Sequence, residues 1–380
     1  MWKVALCPVF AGCIWFLSPT VRAGGEKPPA QLAQQQWRIF PHSPFRRGAD
    51  EEIAARFTRQ IEPLVSFFQP EASSSETETI ADALLEEKAR NQFFRLESLL
   101  RLYRRAFPDL EKYLASVKEI EDGIGAYSYA VDSLKFAEED FKKENEGRSV
   151  TPARLAEQEK ALSALRTKKA RARVVFTKLV DRSTLNADLP ELRSQLSSSL
   201  VGWPASRDRE YVNGELVRIL KDVKDGRYNF NQLEDGIHEF RRQLRWFPMM
   251  IDSLDGQILL RDDPPGACPV PALESLKGTR AAAHRYSNPS LSFPATHPCT
   301  ISRCLLWPVV KTVDDIGRLK DEAEGNAAVG AALSSVDDDH VEWVNKVSPE
   351  DIARAKTIRS ELMESRALDS LMGQLSSCKP

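Results

Sequence analysis

The chain has 380 residues, 53 of them lysine or arginine and 55 aspartate or glutamate, for a formal net charge of −2. That length holds one large or two ordinary domains, and 42% apolar with 28% charged residues excludes a disordered chain. The balanced charge also excludes a molecule that attracts polyanions over its whole surface, so any basic site is a local patch.

The first residues read as a targeting segment. Lys3 precedes an apolar run from Val4 to Leu17, then Ser18, Pro19 and Val21-Arg22-Ala23, the order of a secretory signal cleaved after Ala23. The run is short of the roughly 20 residues that a membrane span needs. Phe10-Ala11-Gly12-Cys13 offers a lipobox-like alternative with a lipidated Cys13, and an uncleaved anchor is a third outcome. Without a later apolar span, the expectation is a periplasmic or secreted protein. Removal of 1–23 leaves Cys268, Cys299, Cys304 and Cys378 as disulfide candidates, with three connectivities open. His297 with Cys299 and Cys304 matches no standard zinc spacing, so no metal is assigned there.

Residues 24–49 carry Gly, Pro and Gln and read as a linker or extended tail. From Asp50 the pattern is helical: Ile53, Phe57, Ile61, Leu64, Val65 and Phe68 recur at helical spacing, with Pro63 expected to kink the helix. An acidic, Ser-rich loop covers Gln69 to Thr79. A helix from about Ile80 to Phe107 gathers Phe93, Leu96, Leu99, Leu100 and Tyr103 on one face. Arg90, Arg101, Arg104 and Arg105 fall on another face, with Glu97 placed to pair with Arg101 at i,i+4. Further helices are expected over Leu110–Ala137, Ala153–Leu179 after a Thr151-Pro152 cap, Leu189–Leu200 and Glu210–Val223.

The most distinctive stretch is Leu233 to Phe247. At about 100° per residue, Ile237, Phe240, Leu244 and Phe247 share one side of a helix, and His238, Arg241, Arg242 and Arg245 the opposite one. Pro248 is expected to stop or kink it. Residues 261–304 are then rich in Pro, Ser and Ala, hold three of the four later cysteines, and read as a stapled insertion. Residues 305–380 return to helical pattern and end in an amphipathic segment, Pro349 to Leu375. No hairpin dipeptide sits between alternating runs, so the fold class is all-α.

The 50–260 region and the C-terminal helices also echo each other. Val117-Lys-Glu-Ile-Glu-Asp-Gly-Ile-Gly125 is matched by Val310-Lys-Thr-Val-Asp-Asp-Ile-Gly317 with one residue fewer, and each copy follows an Arg-faced helix. The order suggests two pseudo-repeated bundles of about four helices, with Lys118 and Lys311 in equivalent places.

Ile237-His-Glu-Phe-Arg-Arg-Gln-Leu-Arg245, with Asp315-Ile-Gly-Arg-Leu-Lys-Asp321 later in the chain, resembles the conserved-histidine α-helical (CHAD) family. The resemblance covers about residues 50–325. It implies two pseudo-symmetric four-helix halves and binding of polyphosphate along a basic groove between them. The first-half helix departs from that pattern by offering arginines only. Glu76-Thr-Glu78-Thr-Ile80 lacks the lysine of the triphosphatase strand often joined to the family, so hydrolysis is not implied.

Guanidinium groups match phosphate oxygens in geometry and charge, and His238 adds a proton-dependent donor. The candidate anion site is therefore His238, Arg241, Arg242, Arg245, Arg90, Arg101, Arg104, Arg105, Lys118 and Lys311. The alternative is an envelope structural or protein-interaction module whose basic faces pair with neighbouring carboxylates. No Gly-x-Ser-x-Gly elbow, phosphate-cradling glycine loop or His-Glu-x-x-His stretch argues for catalysis or a cofactor, and Asp337-Asp338-Asp339-His340 reads as an exposed loop or helix start.

Overall fold

A proline one residue inside a helix and a hydroxyl just before it are start signals that the chain uses twice. Thr151 Oγ1 accepts the Arg154 amide at 3.3 Å ahead of Pro152, and Ser348 Oγ accepts the Asp351 amide at 3.0 Å ahead of Pro349. The computed structural model describes residues 49–68, 79–86, 89–147, 149–200, 203–289, 295, 298–334 and 347–378. The expected leader (1–23), almost all of the expected 24–49 tail, His297 and the Asp337–His340 run lie outside these residues.

The fold is all-α. The first half comprises α1 (Ala49–Phe67), α2 (Ile80–Glu86), α3 (Arg90–Tyr103), α4 (Leu110–Asn145), α5 (Pro152–Arg182) and α6 (Leu185–Ser199). The second comprises α7 (Ala205–Asp225), a π-helical turn (Leu233–His238), α8 (Glu239–Ser253), the short α9 (Arg280–Ala283), α10 (Trp307–Ser334), α11 (Pro349–Glu364) and α12 (Ala367–Ser377). Packing follows the same plan in both. In the first half α1 lies on α3 and α6, α3 on α4, and α4 on α5 and α6. In the second, α7 lies on α8 and α12, α8 on α10, and α10 on α11 and α12. The boundary between repeats falls between Ser199 and Ala205, inside the stretch read as one region from 50 to 260.

The two halves meet where α3 packs on α8. Matching Arg90 with Arg241 places Arg95 opposite Trp246 in the repeat and Arg101 opposite Asp252. These positions then contact crosswise, as a pseudo-twofold axis requires. Arg95 Nε donates to Asp252 at 2.9 Å, the Arg101 guanidinium lies 4.6 Å over Trp246, and Ser98 Oγ bonds Ser253 Oγ at 2.7 Å nearby. Below the crossing a buried network ties α1, α3 and α7: Arg56 donates to Asp208 at 3.0 Å and to the Tyr103 hydroxyl at 3.2 Å, while Tyr103 donates to Asp208 at 2.8 Å.

Both apolar faces read from the periodicity are in the core. Phe93, Leu96, Leu99, Leu100 and Tyr103 are buried, as are Ile237, Phe240, Leu244 and Phe247. A smaller cluster forms where the end of α10 meets α4 and α5, around Phe141, Leu165 and Val329.

Several boundaries differ from the sequence reading. The expected Ile80–Phe107 helix is two helices, the second ending at Tyr103, and α4 runs eight residues past Ala137 to Asn145. Of the two outcomes expected at Pro248, a stop is overturned, because α8 continues to Ser253. A proline inside a helix costs about 3 kcal/mol. Phe247, Met249, Met250 and Ile251 around it are all buried, each contributing about 1.5–3 kcal/mol, so burial wins. The Pro349–Leu375 stretch is divided at Arg366, whose φ of 55° is left-handed.

The described residues of the insertion hold more regular structure than its composition suggested. Ile258–Arg261 (β1) pairs in parallel with Cys299–Ser302 (β2), a pairing that leaves no hairpin signature. Cys268 bonds Cys304, and Cys299 bonds Cys378 beyond α12, which fixes one of the three connectivities. Gln374 holds β2 further, accepting the Ser302 amide at 2.7 Å and donating to the Ser302 hydroxyl at 3.0 Å. Because the second bond joins residues 79 apart, Cys299→Ser with Cys378→Ser is expected to cost about 2–5 kcal/mol of unfolding free energy in denaturant titration.

Candidate anion-binding groove

The entry to α8 is a π-helical turn, a form in which one extra residue loosens the helix and shifts the side chains that follow. Gly236 makes it feasible, because a Cβ there would run into the Asn229 backbone. The turn places His238 in the lining of a cavity of about 760 Å³ bounded by α3, α4, α8 and α10.

The two Arg faces look into this same cavity. Arg90, Arg101 and Lys118 line it from the first half, and His238, Arg241, Arg242 and Arg245 from the second. Three of the ten candidates are not brought there. The angular count that placed Arg104 and Arg105 on the Arg90 face assumed a helix continuing to Phe107. They lie past its end at Tyr103 and face a separate surface hollow with Glu111 and Arg218. Lys311 turns toward α11, bonding Asp315 at 2.8 Å and Glu361 at 3.2 Å.

Carboxylates share the groove in equal number. Eight Lys and Arg side chains line it and so do eight Asp and Glu, with His238 in addition. Most of the cations are already answered. Arg90 bonds Glu121 at 2.7 Å, Arg101 bonds Glu97 at 2.7 Å, and Lys118 pairs with Asp122. Arg242 pairs with Glu239, Lys320 with Glu324, Arg318 with Asp314 and Asp315, and His238 Nδ1 lies 2.7 Å from Glu234. Burial pushes the Glu121, Asp132 and Glu324 carboxyls above the ordinary range; Asp321 pushes Asp132 further, while Arg90 and Lys320 pull Glu121 and Glu324 back. The hydrogen bond from His238 holds Glu234 below it.

Arg241 and Arg245 stand apart. Arg241 donates from Nε to the Val313 carbonyl at 3.1 Å and meets no carboxylate among the described residues. Arg245 lies 4.4 Å over the Phe94 ring with no hydrogen bond or ion pair to any described residue, and its Nε is buried without a partner. Burial pushes its pKa down to about 10, with the Arg241 charge adding to the effect.

The echoed glycines explain how two of these arginines are seated. A Cβ on Gly125 would come within 2.7 Å of the Arg90 guanidinium, and one on Gly317 within 2.7 Å of that of Arg241. Each arginine thus lies against bare helix backbone at the equivalent place in its half. Relief of a helical glycine by alanine ordinarily stabilises by about 0.5–1 kcal/mol. Gly317→Ala is therefore expected to leave the melting temperature level or slightly raised while displacing Arg241, and, on the anion-binding reading proposed below, to weaken polyphosphate binding about 10-fold in a titration. Unchanged affinity would show that Arg241 is not seated by the glycine.

Glu121, Asp132, Arg318, Lys320, Phe94 and Trp246 also line the groove and were not among the candidates. Arg318 and Lys320 stand within the Asp315–Asp321 motif. Phe94 and Trp246 carry no signal distinguishing them from ordinary core aromatics. In comparisons with known proteins, no family model, curated protein or solved structure matches the chain.

Proposed function

We propose that the chain is a non-enzymatic helical protein that binds polyphosphate or another polyanion in the groove between its two halves. The observation that carries this reading is the adjacent pair Arg241 and Arg245. Every other cation lining the groove has a carboxylate partner, while these two guanidiniums have none among the described residues, and burial lowers the pKa of Arg245. A phosphoryl oxygen there satisfies donors that the protein leaves open, and the motif resemblance of Ile237–Arg245 supports the same ligand. Export is part of the proposal, supported by the leader-like residues 1–23 and by two disulfides, which fit an oxidising compartment. No helix among the described residues is long and apolar enough to cross a membrane.

The carboxylates favour a second reading, a structural or protein-interaction module of the envelope whose charges satisfy one another. Labelled polyphosphate at two salt concentrations separates the two. The anion reading expects binding at low salt that weakens steeply as counterions compete, and the second reading expects none.

The raised carboxyls add a pH signature. Bound phosphoryl groups favour the protonated forms of Glu121, Asp132 and Glu324, so binding takes up protons. Affinity for polyphosphate is expected to rise about 3- to 10-fold between about pH 7 and about pH 5. A flat or falling profile in the same titration would contradict this.

A further inference from the structure

Arg241 and Arg245 border a second cavity. It has about 210 Å³ and shares Phe94 and both arginines with the groove, but its remaining wall comes largely from the insertion and the start of α10. Arg285 stands in that wall with His284 and Asn91. Its guanidinium donates to Asn91 Oδ1 at 3.2 Å and to the Tyr286 hydroxyl at 3.1 Å, and lies 4.8 Å over the Tyr286 ring, with no carboxylate partner among the described residues. The wall's carboxylate, Asp314, is answered from outside by Arg280 at 3.5 Å and Arg318 at 3.6 Å. Three guanidiniums without a carboxylate partner among the described residues therefore surround one small space, and the buried, unsatisfied Nε of Arg245 is among them.

The space is held in shape. His284 Nδ1 accepts the Tyr286 amide at 3.2 Å, leaving Nε2 as the protonated nitrogen of the neutral ring. Ser287 Oγ donates to the Ala281 carbonyl at 2.7 Å, Arg303 reaches the Ser287 carbonyl, and the Cys268–Cys304 bond closes the insertion around the turn. Its volume of about 210 Å³, against about 760 Å³ for the groove, suits one phosphoryl group better than a length of chain. The first half has no counterpart, because Phe94 stands where the repeat places Arg245 and a short turn replaces the insertion.

We propose that this cavity is a separate oxyanion subsite for a single phosphoryl group, either free orthophosphate or the end of a chain lying in the groove. The inference rests on Arg241 and Arg245 being an anion seat, but Arg285 belongs to this cavity and not to the groove. Arg285 is exposed, so its replacement does not disturb the core.

Wild type, Arg285→Gln and the control Arg104→Gln, which lies outside both cavities, are titrated calorimetrically with orthophosphate, linear tripolyphosphate and cyclic trimetaphosphate, which has no chain end. Arg285→Gln is expected to weaken orthophosphate binding about 10-fold or more, and Arg104→Gln to leave it unchanged. A loss confined to orthophosphate identifies the free ion as the ligand. A loss extending to the linear but not the cyclic anion identifies the chain end. Equal affinities of wild type and Arg285→Gln for both orthophosphate and the linear anion overturn the subsite, as does wild type that takes up neither. If long polyphosphate still binds in either of those cases, the groove reading stands without it.

Discussion

Replacing Arg245 with leucine is expected to make the protein more stable and a poorer binder of polyanions. The two effects have one cause. A guanidinium that is largely buried, lies against Phe94 and has no carboxylate partner costs free energy in the folded state, and the fall of its pKa to about 10 is worth about 3 kcal/mol. Leucine removes the charge and the open donor and keeps an apolar contact with the ring, so unfolding in denaturant should show a gain of about 1–3 kcal/mol. The sign with pH follows. Because the folded-state value is depressed, the unfolded chain holds a proton that the folded one gives up above about pH 10. The wild-type penalty is therefore whole below that pH and fades above it, and the advantage of the variant should shrink there. A residue whose removal improves the fold is retained for another reason, and an anionic ligand is the reason proposed.

Arg56 should give the opposite result. It is equally an arginine inside the protein, but it is bonded to Asp208 and Tyr103 in a site where all three side chains are buried. Arg56→Leu strands the Asp208 carboxylate in the interior, and removal of one partner from such a pair costs about 3–5 kcal/mol. Denaturant unfolding should show that loss, while polyphosphate affinity measured on the folded variant stays at the wild-type level. The contrast separates an arginine that holds the two halves together from one held ready for a ligand. A loss of stability of similar size in both variants would remove the distinction.

Periodicity made much of this legible in the sequence. The Ile237–Phe247 face is core and its opposite face enters the groove because a 3.6-residue repeat fixes both at once. The Glu97–Arg101 pair was foreseeable, being four residues apart on one helix. The repeat of 117–125 at 310–317 marked equivalent helices, and its last glycines proved to be the seats of Arg90 and Arg241. The partners that decide function were not legible in the same way. Glu121 answers Arg90 from another helix, and nothing along the chain tells that Arg241 and Arg245 lack such an answer. The end of α3 at Tyr103, which removes Arg104 and Arg105 from the groove, has no glycine to announce it. The π-helical turn has no period of its own in the sequence, and Gly236 reads there as a simple interruption. The parallel β1–β2 pair is set by disulfides and by Gln374, contacts distant in sequence.

The central claim is that the unanswered guanidiniums of the groove, rather than arginine content in general, hold the polyanion. The direct measurement is the affinity for labelled polyphosphate at low salt of wild type, Arg241→Gln/Arg245→Gln and Arg104→Gln/Arg105→Gln. Each charge-assisted contact is worth about 1.5–3 kcal/mol, so the first double variant should bind at least about 100-fold more weakly. The second removes the same formal charge outside the groove and should stay within about 3-fold of wild type. Equal losses in the two double variants, or wild type that does not bind, would contradict the account.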